Sequence, residues 1–284
     1  MGWLGPTFFH QRRGGEALAP IRVLVSGAYG RMGREVVKAV TAQLDMELAG
    51  AVDMAGVGED AGQAAGVGKT GVIISADLSG TISKTNPEVM VDFTTPLVVM
   101  ENIRVAAEAG VAGVIGTTGL TKENLEEIAR LAAKAGRAFL VAPNFAIGAI
   151  LMMRFAAEAA RFFPDVEIIE LHHDKKIDAP SGTALNTAEA INAARAGQQP
   201  PARVSPLEKV KGARGGELSG VHIHSVRLPG LVAHQEVIFG GMGQTLTIRH
   251  DSLDRSSFMP GVLLAIRKVV TEKGFFNGLE AFLS

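Results

Sequence analysis

Between residues 21 and 145, short runs rich in β-branched residues alternate with longer segments of helical periodicity. The runs are IRVLVS, MELAGAV, EVMVDF, VAGVIG and AFLVA, and the helical patterns cover residues 31–43, 97–109 and 122–135. Strands that are separated by helices pair in parallel, because the helix provides the long crossover that a parallel pair needs. This alternation predicts an α/β fold with a doubly wound parallel sheet and helices on both faces.

The pattern changes after residue 145. Helical stretches over residues 147–163 and 183–196 flank the strand VEIIELHH, and a loop rich in Pro and Gly covers residues 197–220. The runs VHIHSVRL, HQEVIFG and QTLTIRH follow with links too short for parallel crossovers, so we expect them to be antiparallel. These features predict a C-terminal α+β domain with a mixed, largely antiparallel sheet.

This change divides the chain. We expect residues 1–20 to be a flexible N-terminal extension, residues 21–145 to form the first domain and residues 146–255 the second. A last helical pattern over residues 258–273 suggests that the segment 256–284 packs back on the first domain. Two threonines precede predicted helices and are expected to cap them, Thr95 before Pro96 and Thr121 before residue 122.

Charge and composition exclude several functions. Lys and Arg number 28 and Asp and Glu 29, so the net charge is −1, and no long run of either sign offers a footprint for nucleic acid or an anionic membrane. Cysteine is absent, which excludes disulfides, thiolate metal ligands and a cysteine nucleophile. No window reaches the ~18 unbroken apolar residues of a membrane span. Arg12 and Arg13 follow the apolar N-terminal residues, the reverse of a signal peptide, so we expect a soluble, cytoplasmic protein.

A glycine-rich turn joins the first strand to the first helix. It reads Gly27-Ala28-Tyr29-Gly30-Arg31-Met32-Gly33, and the next strand ends at Asp53, 20 residues after Gly33. Glycines let the backbone approach a pyrophosphate, the helix N-terminus offers free N–H groups, and an acid at this distance can accept hydrogen bonds from ribose hydroxyls. The spacing GxxGxxG departs from the commoner GxGxxG, but its context predicts a Rossmann-like dinucleotide site. Met54 stands where an arginine would help to hold a 2′-phosphate, which favours NADH slightly over NADPH.

Two further loops follow predicted neighbouring strands. Gly116-Thr117-Thr118-Gly119 follows VAGVI, and Ala142-Pro143-Asn144-Phe145 follows AFLV. Alone, each is ordinary loop sequence. At the carboxyl ends of adjacent strands, where an open α/β sheet places its ligand crevice, both are expected near the nicotinamide half of the cofactor.

The densest cluster of ionisable side chains is ELHHDKKIDAPSGTA, residues 170–184. A strand leads in and a helix leads out, so Ser181, Gly182 and Thr183 place a hydroxyl and free backbone amides at a helix N-terminus, where a carboxylate can bind. Upstream stand His172, His173, Lys175 and Lys176. One histidine could be a core residue and the lysines a solvated loop, since neighbouring strand residues face opposite sides. The presence of all these ionisable groups in one short segment instead favours a site that binds an acidic substrate and protonates it.

Other basic residues follow in the second domain. His222 and His224 share a face of one predicted strand and could bind a metal, but the spacing suggests no Asp, Glu or Cys partner. We therefore expect them to be structural or to line the substrate site, without a metal. Plausible anion contacts that the sequence does not place are Arg227, Arg249, His250 and Arg255.

From about residue 21 to the C-terminus the chain resembles the dihydrodipicolinate reductases (4-hydroxy-tetrahydrodipicolinate reductases) of diaminopimelate and lysine biosynthesis. The resemblance rests on GAYGRMG, DFTTP, GTTG, APNF and VHIHSVRLPG, and above all on ELHHDKKIDAPSGTA. It implies NAD(P)H-dependent reduction of a small cyclic dicarboxylate by an enzyme that is typically a homotetramer, assembled through the sheets of the second domain. Many members accept both NADH and NADPH. The residues 1–20 have no recognisable counterpart.

The resemblance also implies individual roles. His172 would be the acid/base residue and Lys176 the proton donor, while His173 and the amides of Gly182 and Thr183 would hold a substrate carboxylate. The nicotinamide would supply a hydride to the unsaturated ring, and closure between the domains would exclude water. The dinucleotide would be surrounded by Gly27, Ala28, Tyr29, Gly30, Arg31, Met32, Asp53, Gly116, Thr117, Thr118, Ala142, Pro143, Asn144 and Phe145.

Two other functions fit the same sequence. One is another NAD(P)-dependent imine or amino-acid dehydrogenase of the same two-domain design, against which the cluster at residues 170–184 speaks. The other is a non-catalytic NAD-binding redox sensor, which would need a partner surface or a DNA-binding element. The near-zero net charge and the lack of a basic helix make that function the weaker alternative.

Overall fold

The computed structural model describes residues 19–195 and 207–283. All but the last two residues of the predicted N-terminal extension, and residues 197–206 of the predicted loop, lie outside that part. The chain divides into two compact units. Of the described residues, the first unit comprises 19–145 and 258–283, and the second comprises 146–195 and 207–257.

The first unit contains a seven-stranded sheet in which every pairing is parallel. Its strands are β1 (Ile21–Ser26), β2 (Met46–Val52), β3 (Ile74–Ser75), β4 (Val89–Asp92), β5 (Ala112–Ile115), β6 (Ala138–Val141) and β12 (Gly274–Asn277). They lie in the order β12-β6-β5-β4-β1-β2-β3. The chain reverses its direction of progress across the sheet between β1 and β4, which is where a doubly wound sheet opens its ligand crevice. The predicted parallel Rossmann-like sheet is confirmed.

The described residues of this unit form the α-helices α1 (Arg31–Thr41), α2 (Ala61–Ala65), α3 (Leu78–Thr85), α4 (Val99–Glu108), α5 (Lys122–Ala135) and α8 (Met259–Val269). Thr121 caps α5 as expected, because its hydroxyl accepts from Asn124 N while the Asn124 side chain accepts from Thr121 N. The prediction for Thr95 is wrong. Residues 95–98 form a turn in which the main-chain oxygen of Thr95 accepts from Val99 N, and α4 begins at Val99 without a side-chain cap.

The second unit contains a five-stranded mixed sheet. Its strands are β7 (Asp165–His172), β8 (Gly216–Leu218), β9 (Val221–Arg227), β10 (Ala233–Gly241) and β11 (Gln244–Ser252), in the order β11-β10-β7-β9-β8. The predicted antiparallel directions of β9, β10 and β11 are confirmed, but β9 and β10 are not neighbours. β7 lies between them, antiparallel to β10 and parallel to β9. Strand β8 falls within the segment that the sequence predicts as loop.

Two helices, α6 (Ile147–Ala159) and α7 (Gly182–Arg195), pack on one face of this sheet. Their buried side chains, among them Met152 and Ile191, share a core with Ile168 and Phe239 of the strands. Burying one such aliphatic or aromatic side chain contributes roughly 1.5–3 kcal/mol. This core fixes the register of β7 and so the position of the residues at its carboxyl end.

The helix-covered face of the sheet changes from apolar to polar along β7. The register across β10, β7 and β9 gives the successive rows Val237–Ile168–Ile223, Gln235–Glu170–Ser225 and Ala233–His172–Arg227. Side chains two residues apart on a strand share a face, so the three rows line one surface. The apolar row anchors the helices, and the polar rows carry the ionisable groups of the candidate site.

Candidate functional site

The loop from β1 to α1 is folded tightly against its neighbours. Gly27 has a φ of +80°, and a Cβ there would lie 2.5 Å from the main-chain oxygen of Phe93, so only glycine fits. A Cβ at Gly33 would lie 1.9 Å from the main-chain oxygen of Gly27. Gly30 precedes α1, and no side chain caps that helix. The loop therefore brings an uncapped helix N-terminus to the reversal point between β1 and β4.

Asp53 follows β2 and fixes this loop. Its Oδ2 accepts a hydrogen bond of 2.9 Å from Tyr29 N, and its Oδ1 accepts one of 2.9 Å from Ala55 N. A carboxylate offers about four lone-pair positions, so capacity remains for ribose hydroxyls. Asp53 thus pins the glycine loop as well as offering acceptors, and the sequence interpretation includes only the second role.

The Tyr29 side chain adds a further contact. The guanidinium carbon of Arg34 lies 4.3 Å from the centre of the Tyr29 ring. A Cβ at Gly56 would lie 2.2 Å from that ring, so the loop after β2 rests on it. Tyr29 therefore joins the glycine loop to the segment that follows Asp53.

Asp92, at the end of β4, holds two more loops together. It is fully buried, and its Oδ1 accepts from the hydroxyls of Thr94 and Thr117 at 2.7 Å each. Its Oδ2 accepts from Asn102 Nδ2 at 2.8 Å. The hydroxyl of Thr117 therefore points inward, which leaves the backbone of residues 116–118 as the surface that could contact a cofactor. The sequence interpretation assigns no role to Asp92.

The loop after β6 is partly buried. Ala142 and Phe145 belong to the core, and the Phe145 ring lies 5.7 Å from that of Phe93. Pro143 is exposed and Asn144 half-buried. Of the four residues predicted to contact the cofactor here, Pro143 and Asn144 are the ones that solvent reaches.

These loops together fit a dinucleotide. The loops after β1, β2, β4, β5 and β6 all lie at the carboxyl edge of one parallel sheet, with the uncapped N-terminus of α1 at the reversal point. Such an arrangement offers backbone amides to a pyrophosphate and a carboxylate to a ribose. The first unit thus presents groups of the kind that can bind a dinucleotide.

In the second unit, His172 is the last residue of β7. Its Nδ1 lies 2.5 Å from Oε2 of Glu170, which occupies the adjacent row on the same face. The Glu170 side chain is 0% exposed. Burial alone would raise the pKa of this carboxyl, but hydrogen bonds, chiefly from His172 and Arg227, outweigh it and lower the pKa to about 2. Glu170 is therefore a buried anion that only accepts hydrogen bonds.

Arg227, on β9, is the counter-charge. Its Nη1 and Nη2 donate to the two oxygens of Glu170 at 2.9 and 2.7 Å. Nη2 also donates to the main-chain oxygen of Asp178 at 2.8 Å. Arg227 thus joins the end of β7 to the loop that follows it, rather than offering its fork to a ligand.

Lys176 lies in this loop. Its Nζ donates to both carboxylate oxygens of Asp178 at 2.8 Å, and the hydrogen bond from Lys176 lowers the pKa of Asp178. His173 is exposed. The cations of the predicted cluster therefore reach solvent from one loop, next to the half-buried His172 and the buried Glu170.

The first turn of α7 completes the cluster. Ser181 is buried; its hydroxyl accepts from Ala184 N at 3.2 Å, and its own N–H donates to Glu170 Oε1 at 3.2 Å. Gly182 is exposed and Thr183 half-buried. The hydroxyl of Ser181 is thus occupied as a helix cap, and the amides of Gly182 and Thr183 remain at the helix N-terminus.

The other basic residues lie elsewhere. His222 and His224 are on the face of β9 opposite to Ser225 and Arg227, and His224 Nε2 lies 2.8 Å from Glu167 Oε2. Among the described residues, no group of three His, Cys, Asp or Glu could hold a metal ion. Arg249 pairs with Asp251 and Glu236.

His250 and Arg255 complete this set. His250 packs against Gly148, and burial lowers its pKa despite the nearby carboxylate of Asp251. Arg255 is exposed. Within residues 19–195 and 207–283, no helix is long and apolar enough to span a bilayer.

Two family descriptions match the chain. "Dihydrodipicolinate reductase, N-terminus" matches residues 21–145, and "Dihydrodipicolinate reductase, C-terminus" matches residues 148–283. The chain belongs to the dihydrodipicolinate reductase family. The resemblance that the sequence motifs carry is confirmed.

Relatives agree with this assignment. A 4-hydroxy-tetrahydrodipicolinate reductase from Moorella thermoacetica is 56% identical over 267 residues, which cover 94% of this chain and 99% of the relative. One from Syntrophomonas wolfei is 52% identical over 262 residues, covering 92% and 98%. Such identity makes the chain an NAD(P)H-dependent oxidoreductase of the diaminopimelate and lysine pathway.

Solved structures show the same fold. Dipicolinate-bound dihydrodipicolinate reductase from Paenisporosarcina sp. TG-14 is 44% identical with a TM-score of 0.82, covering 92% of this chain and 99% of that one. An amine dehydrogenase from Mycobacterium smegmatis has a TM-score of 0.65 at 16% identity, covering 92% and 95%. The second likeness shows the fold alone.

Proposed function

We propose that this dihydrodipicolinate reductase binds NADH or NADPH on its first unit and protonates a cyclic dicarboxylate with His172 and Lys176 of its second. The observation that carries the proposal is the joining of both residues to one buried network at the end of β7. His172 bonds Glu170, Glu170 bonds Arg227, and Arg227 holds the loop that contains Lys176. Reduction of an unsaturated ring takes a hydride and a proton, and this network supplies groups for the proton.

On the first unit, the amides of residues 27–32 bind the pyrophosphate and Asp53 accepts from the ribose. The backbone of Gly116, Thr117 and Thr118 and the loop of Ala142, Pro143, Asn144 and Phe145 border the nicotinamide, which supplies the hydride when bound. The exposed Met54 places no positive charge next to Asp53, which supports a slight preference for NADH.

On the second unit, the substrate carboxylates are held by His173 and by the amides of Gly182 and Thr183. The amides sit at the N-terminus of a 14-residue helix, where the helix dipole favours an anion. The dipicolinate bound to the Paenisporosarcina enzyme is a cyclic dicarboxylate of this kind. The substrate of this chain is 4-hydroxy-tetrahydrodipicolinate, as the names of its relatives indicate.

The assembly is a homotetramer that forms in the cytoplasm through the sheets of the second unit. The half-buried apolar side chains of Ile169, Leu171 and Ile238 lie on the sheet face opposite to α6 and α7, and they support this interface.

Turnover of a Lys176→Ala variant tests the proposal. We expect kcat to fall by about 100- to 10,000-fold, the usual contribution of general acid–base catalysis, while the Kd for NADH stays nearly unchanged. Oxidation of NADH with the dicarboxylate is followed by absorbance, and NADH binding by fluorescence. Lys175→Ala, in the same loop but exposed, is the matched control. Near-wild-type turnover of Lys176→Ala would overturn the assignment.

A further inference from the structure

The Glu170 carboxylate does not face solvent. Its side chain is 0% exposed, and donors on three separate elements converge on it. They are His172 Nδ1 at 2.5 Å, Arg227 Nη1 and Nη2 at 2.9 and 2.7 Å, and Ser181 N at 3.2 Å. Removing a carboxylate from water costs several kcal/mol per ion, and these donors offset that cost.

This geometry determines which nitrogen of His172 carries the proton. An ionised carboxylate has no proton to donate, so Nδ1 of His172 must be the donor in the contact with Glu170. The other ring nitrogen, Nε2, has no hydrogen-bond partner among the described residues. Nε2 is therefore the nitrogen that can exchange a proton with a substrate.

We propose that Glu170 is the positioning residue of the proton-transfer site, holding His172 in the Nδ1–H form so that Nε2 faces the substrate. This inference rests on the proposed function of His172. Glu170 touches no substrate; it acts through the orientation and tautomer of the imidazole. Arg227 keeps Glu170 ionised and immobile, because its fork engages both oxygens.

Glu170 also couples proton transfer to substrate binding. Its Oε1 accepts from Ser181 N, the residue that precedes α7, and Gly182 and Thr183 follow directly. One buried anion thus sets the distance between the imidazole and the amides proposed to bind a substrate carboxylate.

The same strand offers a matched control. Glu167 also contacts a histidine and an arginine, His224 Nε2 at 2.8 Å and Arg214, but on the opposite face of β7. Substituting Glu167 removes a Glu–His–Arg cluster of the same composition without touching His172. A difference in the His172 tautomer between the Glu170 and Glu167 variants therefore shows that the carboxylate acts because it lies next to His172.

The first test is the tautomer of His172 in the wild-type full-length protein, measured by nitrogen-15 NMR at a pH where the ring is neutral. The signal is assigned by its loss in a His172→Gln variant. We expect the Nδ1–H form. A predominant Nε2–H form would overturn the proposal without need of any variant at Glu170.

The second test compares Glu170→Gln with Glu167→Gln. We expect kcat of Glu170→Gln to fall by about 10- to 100-fold, by analogy with the loss of a carboxylate that orients a metal-bound histidine, with a smaller change in KM. The Nε2–H form should also become populated. Glu170→Asp, which keeps the charge, should restore part of kcat, and Glu167→Gln, on the opposite face of β7, should leave the tautomer of His172 unchanged.

Wild-type turnover and an unchanged tautomer in a folded Glu170→Gln protein would contradict the proposal. Should Glu170→Gln fail to fold by circular dichroism, Glu170→Asp and the wild-type tautomer still decide it. If His172→Gln itself keeps full turnover, the proposed function fails instead. The two failures are therefore distinguishable.

Discussion

Lys176 Nζ lies 2.8 Å from both carboxylate oxygens of Asp178, two residues further along the same loop. Lys176 is only 20% exposed, whereas Asp178 is 63% exposed. The charge of the proposed proton donor is therefore paired with an exposed carboxylate, with which a substrate carboxylate would compete for Lys176.

We expect Asp178→Asn to lower the KM for the dicarboxylate by about two- to fivefold, because an ion pair with one solvent-exposed partner contributes about 0.2–1 kcal/mol. Steady-state kinetics at low ionic strength measure this change, which salt should reduce by screening the pair. Asp174→Asn changes an exposed carboxylate in the same loop and should leave KM as it is. A raised KM would show instead that Asp178 helps to hold Lys176 in its working position.

A second prediction concerns Asp53, which binds Tyr29 N and Ala55 N. Asp53→Ala should raise the Kd for NADH by about 10-fold or more, since hydrogen bonds to a charged group contribute about 1.5–3 kcal/mol. The Kd for NADPH should rise less, because a 2′-phosphate lacks the hydroxyl that Asp53 accepts from. Fluorescence titration with both nucleotides measures the difference. Equal increases in the Kd for NADH and for NADPH would show that Asp53 only holds the glycine loop in place.

The third prediction concerns stability against pH. Asp60 precedes α2 and is buried; burial opposes its ionisation, but hydrogen bonds from Thr70, Gln63 and Gly71 outweigh this and lower its pKa from 3.8 to about 2. A lowered folded-state pKa stabilises the protein above the unfolded value of 3.8, and the effect is lost as pH falls towards about 2.

Asp60→Asn should therefore have a lower Tm than the wild type at neutral pH, and the two Tm values should converge as pH falls from about 4 to about 2. Thermal unfolding followed by circular dichroism gives both curves. Glu126→Gln, an exposed change on α5, should track the wild type throughout. A constant gap between the Asp60→Asn and wild-type curves would show that the ionised carboxylate is not the stabilising group.

Local patterns predict the fold of the first unit well, because strand and helix alternate with clear punctuation. Some features depend only on residues that are close in sequence, so the sequence alone predicts them. Examples are the glycine loop and the cap formed by Thr121 and Asn124. The sequence does not predict β3, with two residues, β8, with three, β12, with four, or the short helices α2 and α3. Such elements are too short to show a period, and their stability depends on what they pack against.

Part of the candidate site can also be predicted from the sequence, because several of its residues are close to one another in the chain. His172, Lys176, Gly182 and Thr183 stand in one segment, which a reader of the sequence can isolate. Arg227 is 57 residues away from Glu170, and only the pairing of β9 with β7 brings them together. The sequence does not predict the pairing of β9 with β7, because β9 and β10 follow each other in sequence but lie on either side of β7. The residue types of the site can be recognised in the sequence, but the pairing of distant strands that brings them together cannot.

The pairing of β12 with β6 has a consequence for synthesis. Gly274–Asn277 add to the sheet edge formed by Ala138–Val141, so β6 gains this neighbour only after residues 274–277 have been translated. The whole of Ala146–Ser257 is translated in the interval. The nascent first unit therefore waits with an unpaired β6 edge while the second unit is made. An unpaired edge is open to non-native pairing, so during this interval β6 is a site at which the growing chain can aggregate.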